Sequence, residues 1–343
     1  MDKLFITDCE GPLSVNDNAF ELAGHFIPRG EEFFSIVSKY DDMLVDEIKR
    51  PGYHAGDTLK LITPFLKAYG ATNKKVVTFS KENVFLVPGA QDTLNQLKKL
   101  LNSFIVSTSY QQYIKALCDV TGFPFENTYY TKMDLEIQSI KESEKDRLME
   151  LKDLIVQGID FKDLDKIFFE EIPGMEIGKL LNSVKTVGGE GKKLAVEDIV
   201  SKTDISPSKV MYVGDSITDV EPLRFVRENQ GLSISFNGNE YAVREAEITV
   251  ISENTIVTSI LADMHSRFNR DYVLGFVKAY SKDPQVAMDN FRISFNLLED
   301  FKKIFQDREL PLIELTHDNW EYLTKKSMEC RRKVRGKAIG ELG

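Results

Sequence analysis

Two pairs of carboxylates, far apart in the sequence, could carry chemistry in this chain. The first pair, Asp8 and Glu10, closes the apolar run Leu4-Phe5-Ile6-Thr7 and is followed by Gly11. The second pair, Asp215 and Asp219, follows Val210-Met211-Tyr212-Val213-Gly214. Short apolar runs of this kind read as strands buried on both faces, as in parallel sheets. Ligands of such sheets bind at the carboxyl ends of the strands. Two such ends would bring four acids to one edge. That set suits a divalent cation, which takes oxygen ligands, or a carboxylate nucleophile with an acid/base partner.

Other elements must position these acids. Phe104-Ile105-Val106 predicts a strand ending in Ser107, with Thr108 and Ser109 behind it. Lys192-Lys193-Leu194-Ala195 opens a helix upstream of the second acid pair. Helices are predicted over 90–101 and 111–121, and strands over 129–133, 233–236 and 248–251. Such alternation implies a parallel, right-handed, doubly wound α/β sheet. Residues 15–86 are mostly helical by apolar spacing, with Pro51-Gly52 and Pro64 expected to divide them. Residues 136–185 read as a charged helical insertion. From about 256 the chain is predicted helical to its end, with one long amphipathic stretch over 286–305. The expected division is therefore a core of 1–14, 87–135 and 186–255, a helical cap of 15–86, the insertion 136–185 and a C-terminal helical extension 256–343.

Composition narrows the function. The 343 residues exceed a single small core. The net charge of −10 argues against general nucleic-acid binding. Cys9, Cys118 and Cys330 lack the paired spacing of zinc or disulfide sites, which points to a reducing cytoplasm. No apolar run reaches membrane-spanning length, so no membrane insertion is expected. A cleaved leader is not expected either, because its removal would take Asp8 with it.

The four strand-end and helix-start motifs, in this order, resemble those of the haloacid-dehalogenase-like (HAD) hydrolases. Pro88-Gly89-Ala90 and Thr121-Gly122-Phe123-Pro124 are most similar to the phosphoserine-phosphatase branch. The resemblance covers about 1–135 and 186–255. A looser likeness is to an archaeal HAD-like family labelled as a subunit of an energy-converting hydrogenase. The main resemblance implies a Rossmann-like core with a cap between the first and second motifs. It implies Mg²⁺-dependent hydrolysis of a small phosphorylated metabolite through an aspartyl phosphate. Asp8 would be the nucleophile, Glu10 the general acid/base and Lys192 the neutralising cation. Ser107 and Thr108 would bind the phosphoryl oxygens. The metal would be held by Asp8, the backbone carbonyl of Glu10, Asp215 and Asp219, the last as ligand or brace. Asp17 would read a substrate amine, and Arg50 or Arg29 a substrate carboxylate.

The chain departs from the common family pattern at three points. Glu10 stands where most members carry Asp, adding about 1.5 Å of reach. Pro12 replaces Thr or Ser, and Thr218 replaces Asn. Two other functions stay open: phosphotransfer to a small hydroxyl compound, and a non-catalytic HAD-like subunit of a larger complex. The unassigned 136–185 and 256–343 suggest a protein partner or a homodimer. Gly188-Gly189-Glu190-Gly191-Lys192 lacks the spacing and hydroxyl of a nucleotide-binding P-loop. The basic run Lys325-Lys326 and Arg331-Arg332-Lys333-Val334-Arg335 reads as a solvated helix end.

Overall fold

The computed structural model describes residues 1–317 and 319–342. Seven strands form one sheet: β1 (Leu4–Thr7), β2 (Asn102–Tyr110), β3 (Thr128–Thr131), β4 (Val210–Gly214), β5 (Leu232–Phe236), β6 (Ile248–Ile251) and β7 (Leu312–Leu315). Their order is β3-β2-β1-β4-β5-β6-β7. All neighbours pair in parallel except β6 and β7. The predicted doubly wound α/β core is therefore present.

The position of β1 follows from its side chains. All four residues are buried. Phe5 packs with the helices Ala90–Leu100, Gln111–Thr121 and Ile256–Arg267 on one face. Leu4 and Ile6 pack on the other face with the helices Glu190–Thr203 and Val220–Glu228. A strand apolar on both sides must be covered twice, which only the middle of a doubly wound sheet provides. Thr7 is paired with Ile105 of β2 and Val213 of β4, so Asp8 leaves the sheet between those two strands.

The helices of 15–86 form a second apolar core. Helices Asn18–Phe26, Gly30–Asp46 and Thr58–Ala68 bury Leu22, Phe33, Val37, Ile62 and Phe65 against one another. The insertion packs into the same core through Leu148, Leu151, Ile155, Phe168 and Leu180. It thus shares one core with the helices of 15–86.

Three local expectations need correction. Pro64 does not divide a helix; it lies inside Thr58–Ala68. Proline deprives the carbonyl four residues back of its amide partner. Here the Lys60 carbonyl accepts a hydrogen bond from Thr63 Oγ1 at 2.7 Å instead. The stretch 286–305 is two helices, Pro284–Asn290 and Phe295–Ile304. The break is fixed by Asp263, which accepts from the Ser294 amide and hydroxyl, and by Phe291 against Tyr272 and Phe276. The C-terminal extension is not wholly helical, because β7 adds to the sheet as an antiparallel strand. It pairs the N–H and C=O groups that an edge β6 would leave open. No described helix is long and apolar enough to cross a membrane.

Candidate active site

The first acid pair sits on a tight turn at the end of β1. The Asp8 amide donates to the Val213 carbonyl at 2.8 Å, and Asp8 Oδ1 accepts from the Cys9 amide at 2.6 Å. Gly11 follows at φ +100°, and a Cβ there would lie 2.1 Å from Asp215 Oδ2. Glycine is therefore required twice, by the backbone angle and by the approach of the second acid pair.

Lys192 is fully buried, at 0% exposure. Its ammonium donates to Asp8 Oδ2 at 2.7 Å and to Asp219 Oδ1 at 2.8 Å. Burial pulls its pKa down, but the carboxylates of Asp219 and Asp8 outweigh that and hold it above its usual value. Burial pushes the Asp8 carboxyl up to about 7, against the attraction of Lys192. Glu10 is raised well above the carboxylate range, first by burial and then by Asp17. Its Oε1 accepts from the Asn18 amide at 2.7 Å, tying this acid to the first helix of the cap.

Asp8, Asp215 and Asp219 each place a carboxylate oxygen within 4.8 Å of the others. The three are not equivalent. Asp219 is saturated within the protein. Its Oδ1 accepts from Lys192 and from Tyr212 Oη at 2.7 Å, and its Oδ2 from the amides of Asp215 and Ser216. Those bonds make it a brace for the loop, with Ser216 completing a capping box.

A cavity of about 100 Å³ opens above these acids. Six carboxylate residues line it, Asp8, Glu10, Asp17, Asp41, Asp42 and Asp215, against the guanidinium groups of Arg331 and Arg335. A hard divalent cation fits this donor chemistry: the carboxylates lining the cavity outnumber its guanidinium groups, and oxygen is the ligand type it takes. Residues of 15–86 form part of the cavity wall. Gly56, at φ +92°, would bring a Cβ within 2.8 Å of Thr108 Cγ2.

The other site residues expected from the sequence divide clearly. Thr108 lines the cavity, and its buried Oγ1 has no partner among the described residues. Ser107 points to Ser109, donating to its hydroxyl at 3.1 Å. Asp17 lines the cavity but also caps the helix Asn18–Phe26, accepting from the Phe20 amide at 3.0 Å. Arg50 is not brought to the cavity: it pairs with Asp165 and stacks on Phe169, 3.5 Å from the ring centre. Arg29 is also elsewhere, pairing with Glu32 on the surface. Both lie in the cap, where sequence distance from Asp8 carries no information about facing.

Two residues of the basic run overturn the sequence expectation. Arg331 and Arg335 belong to no solvated helix end; their side chains are 3% and 5% exposed. Both donate to Asp215 Oδ2, Arg335 at 3.2 Å. The signal that the sequence does carry is an i, i+4 stripe. Leu323, Ser327 and Arg331 are the buried residues of the helix Trp320–Arg335, and Arg335 continues the row.

Asp41 and Asp42 join the cavity with no motif to mark them in the sequence. Burial pushes both carboxyls up to about 7. A raised acid favours the fold while protonated. Its contribution is fully present below the unfolded value near 4 and is lost as pH rises through 7. Each tenfold difference in proton affinity between folded and unfolded chain is worth about 1.4 kcal/mol. The thermal midpoint of the metal-free protein is therefore expected to fall from about pH 4 to about pH 7 and to level off above it, and Asp41→Asn to flatten that decline. A midpoint constant over this range would contradict it.

The fold and the strand-end acids together define the class: this chain has the HAD-like hydrolase fold. A solved gene product of Archaeoglobus fulgidus is 28% identical, with a TM-score of 0.80 over 100% of this chain and 99% of that one. A substrate-bound phosphoserine phosphatase structure matches at TM-score 0.50 and 16% identity, over 76% of this chain and 97% of that chain. The curated phosphoserine phosphatase of Archaeoglobus fulgidus is 30% identical over 109 residues, 31% of this chain. The match spans only 30% of that relative's length. No family model matches the chain.

Proposed function

We propose that this protein is a HAD-type phosphatase that hydrolyses a small phosphorylated metabolite through an aspartyl phosphate on Asp8. The observation that carries this reading is the buried Lys192 ammonium between Asp8 and Asp219, beside Asp215 and Glu10. A fold has little use for so costly a cluster of charges unless they act on something. The similarity to phosphoserine phosphatases supports the same class.

Asp8 attacks phosphorus, forming the Asp8–phosphoryl bond as the ester bond to the alcohol breaks. Glu10, held protonated by its burial, gives its proton to the departing oxygen. It then takes a proton from the water that attacks the aspartyl phosphate, which releases inorganic phosphate and restores Asp8. Lys192 keeps Asp8 aligned and offsets the charge that gathers on the phosphoryl oxygens. Thr108 offers its unpartnered hydroxyl to one of those oxygens. Asp17, on the cavity wall, reads the rest of the substrate. Mg²⁺, held by Asp8, Asp215 and the Glu10 carbonyl, would supply positive charge against the incoming phosphate. Asp219 orients Lys192 and the Asp215 loop.

The test is phosphate release over a panel of phosphorylated metabolites. Turnover of at least one member is expected with Mg²⁺, lost in EDTA, restored by Mg²⁺ and inhibited by Ca²⁺, whose looser coordination misplaces the nucleophile. Full activity in chelator would exclude the metal-assisted route. One observation favours a second reading, a non-catalytic subunit: two arginines already engage Asp215. Cation binding without turnover of any ester would select it.

A further inference from the structure

The C-terminal segment touches three parts of the protein at once. Arg331, 2% exposed, reaches the second acid pair: its Nη1 donates to the carboxylate of Asp215 and, at 3.3 Å, to the Asp215 carbonyl. Its Nε and Nη2 turn back to the carbonyls of Gly340 at 3.2 Å and Leu342 at 3.3 Å. Arg335 adds a bond to Asp215 Oδ2 at 3.2 Å. Its Nε and Nη2 donate to the carbonyls of Val15 and Asn16, in the link that leads from β1 into the cap. Beyond them Ile339 and Leu342 pack against the cap core, and Leu342 lines the cavity. The sheet core, the link and the helices of 15–86 are thus touched by one segment, and its two guanidinium groups meet at a single oxygen.

We propose that Arg331 and Arg335 are positioning residues of the active site: they hold Asp215 by Oδ2, set how strongly the site attracts a divalent cation, and couple that cation to the C-terminal segment. This rests on the reading of Asp8 and Asp215 as a cation site. With Oδ2 taken by both arginines, Oδ1 is the oxygen of Asp215 for which no protein donor is seen among the described residues. A carboxylate pinned at one oxygen has lost its freedom to rotate and is oriented for a ligand at the other. The same arginines place positive charge within a few ångströms of where the cation must sit. In a buried site that repulsion is only partly screened. Cation and arginines therefore weaken each other, and linkage makes the effect reciprocal. Loading the site loosens the segment 331–342, and undocking the segment strengthens the site.

The test measures binding, not turnover. The full-length protein and its Arg335→Gln variant are titrated calorimetrically with Mg²⁺ and with Mn²⁺. The variant is expected to bind roughly tenfold more tightly, since a charge near the ligand is gone. A residue with a merely structural role would give equal or weaker binding, and that result overturns the proposal. Amide hydrogen exchange on the wild type gives a second readout that needs no variant. Exchange over 331–342 should speed up when the cation is added; unchanged or slower exchange counts against the coupling. If neither protein binds a cation, the cation-site reading fails and the coupling falls with it. Binding without coupling removes only the arginine role.

Discussion

An Asp8→Asn variant is expected to lose turnover of any ester the wild type cleaves, by at least about a thousandfold, while staying folded. The amide is nearly isosteric but cannot act as the nucleophile. Asp8 is 5% exposed and its carboxyl is pushed up to about 7, so near neutral pH its charge is held at a cost to the fold. Neutralising it should leave the thermal midpoint of the metal-free protein unchanged or higher. Lost activity with no lost stability is the mark of a residue kept for chemistry. Activity above a few per cent in the folded variant would remove Asp8 from the nucleophile's role. A large fall in midpoint would make it a structural residue.

Lys192→Met is expected to do the opposite to stability and the same to activity. The side chains have similar length, so the change removes a charge more than a volume. It strands Asp8 and Asp219, 5% and 0% exposed, without their shared cation. Breaking a buried ion pair by deleting one partner costs about 3–5 kcal/mol. The expected outcome at about pH 8 is a clearly lower thermal midpoint together with turnover reduced by about 10²–10³. Asp8, its carboxyl already pushed up to about 7, can then take up a proton, so the stability deficit should shrink as pH falls toward about 6. A variant as stable as wild type in the alkaline buffer would mean that the ammonium does not neutralise this pair. Retained turnover would move the compensating charge elsewhere, with Arg331 and Arg335 the nearest alternatives.

The parts of this architecture legible in the sequence are those whose signal is local. Leu4-Phe5-Ile6-Thr7 is apolar throughout, so it had to be a strand covered on both faces, and the residue that follows had to emerge at a sheet edge. The same reasoning holds for Val210–Gly214 and Asp215. Order along the chain then put Asp8, Lys192, Asp215 and Asp219 in one place, because parallel strands deliver their carboxyl ends to one side. Their meeting within 4.8 Å, with Lys192 between two of them, follows from that topology.

What tertiary structure alone decided is which polar residues of the helical segments face the site. By sequence Asp17 is the first candidate, ahead of Arg50 and Arg29, but the string of letters does not say which of them faces the site. Asp17 lies one helix start from β1 and lines the cavity, while Arg50 is taken by Asp165 and Phe169 of the insertion. Nothing in the sequence near Arg50 announces a partner more than a hundred positions away. The same limit hid Asp41, Asp42, Arg331 and Arg335. A charge on an amphipathic helix reads as solvated unless its stripe is known to be covered, and what covers it is chosen by long-range packing. For Arg331 the partner is Asp215, 116 residues distant. The strand-end acids were fixed by their own neighbours in the chain; the arginines that grip them were placed by the fold.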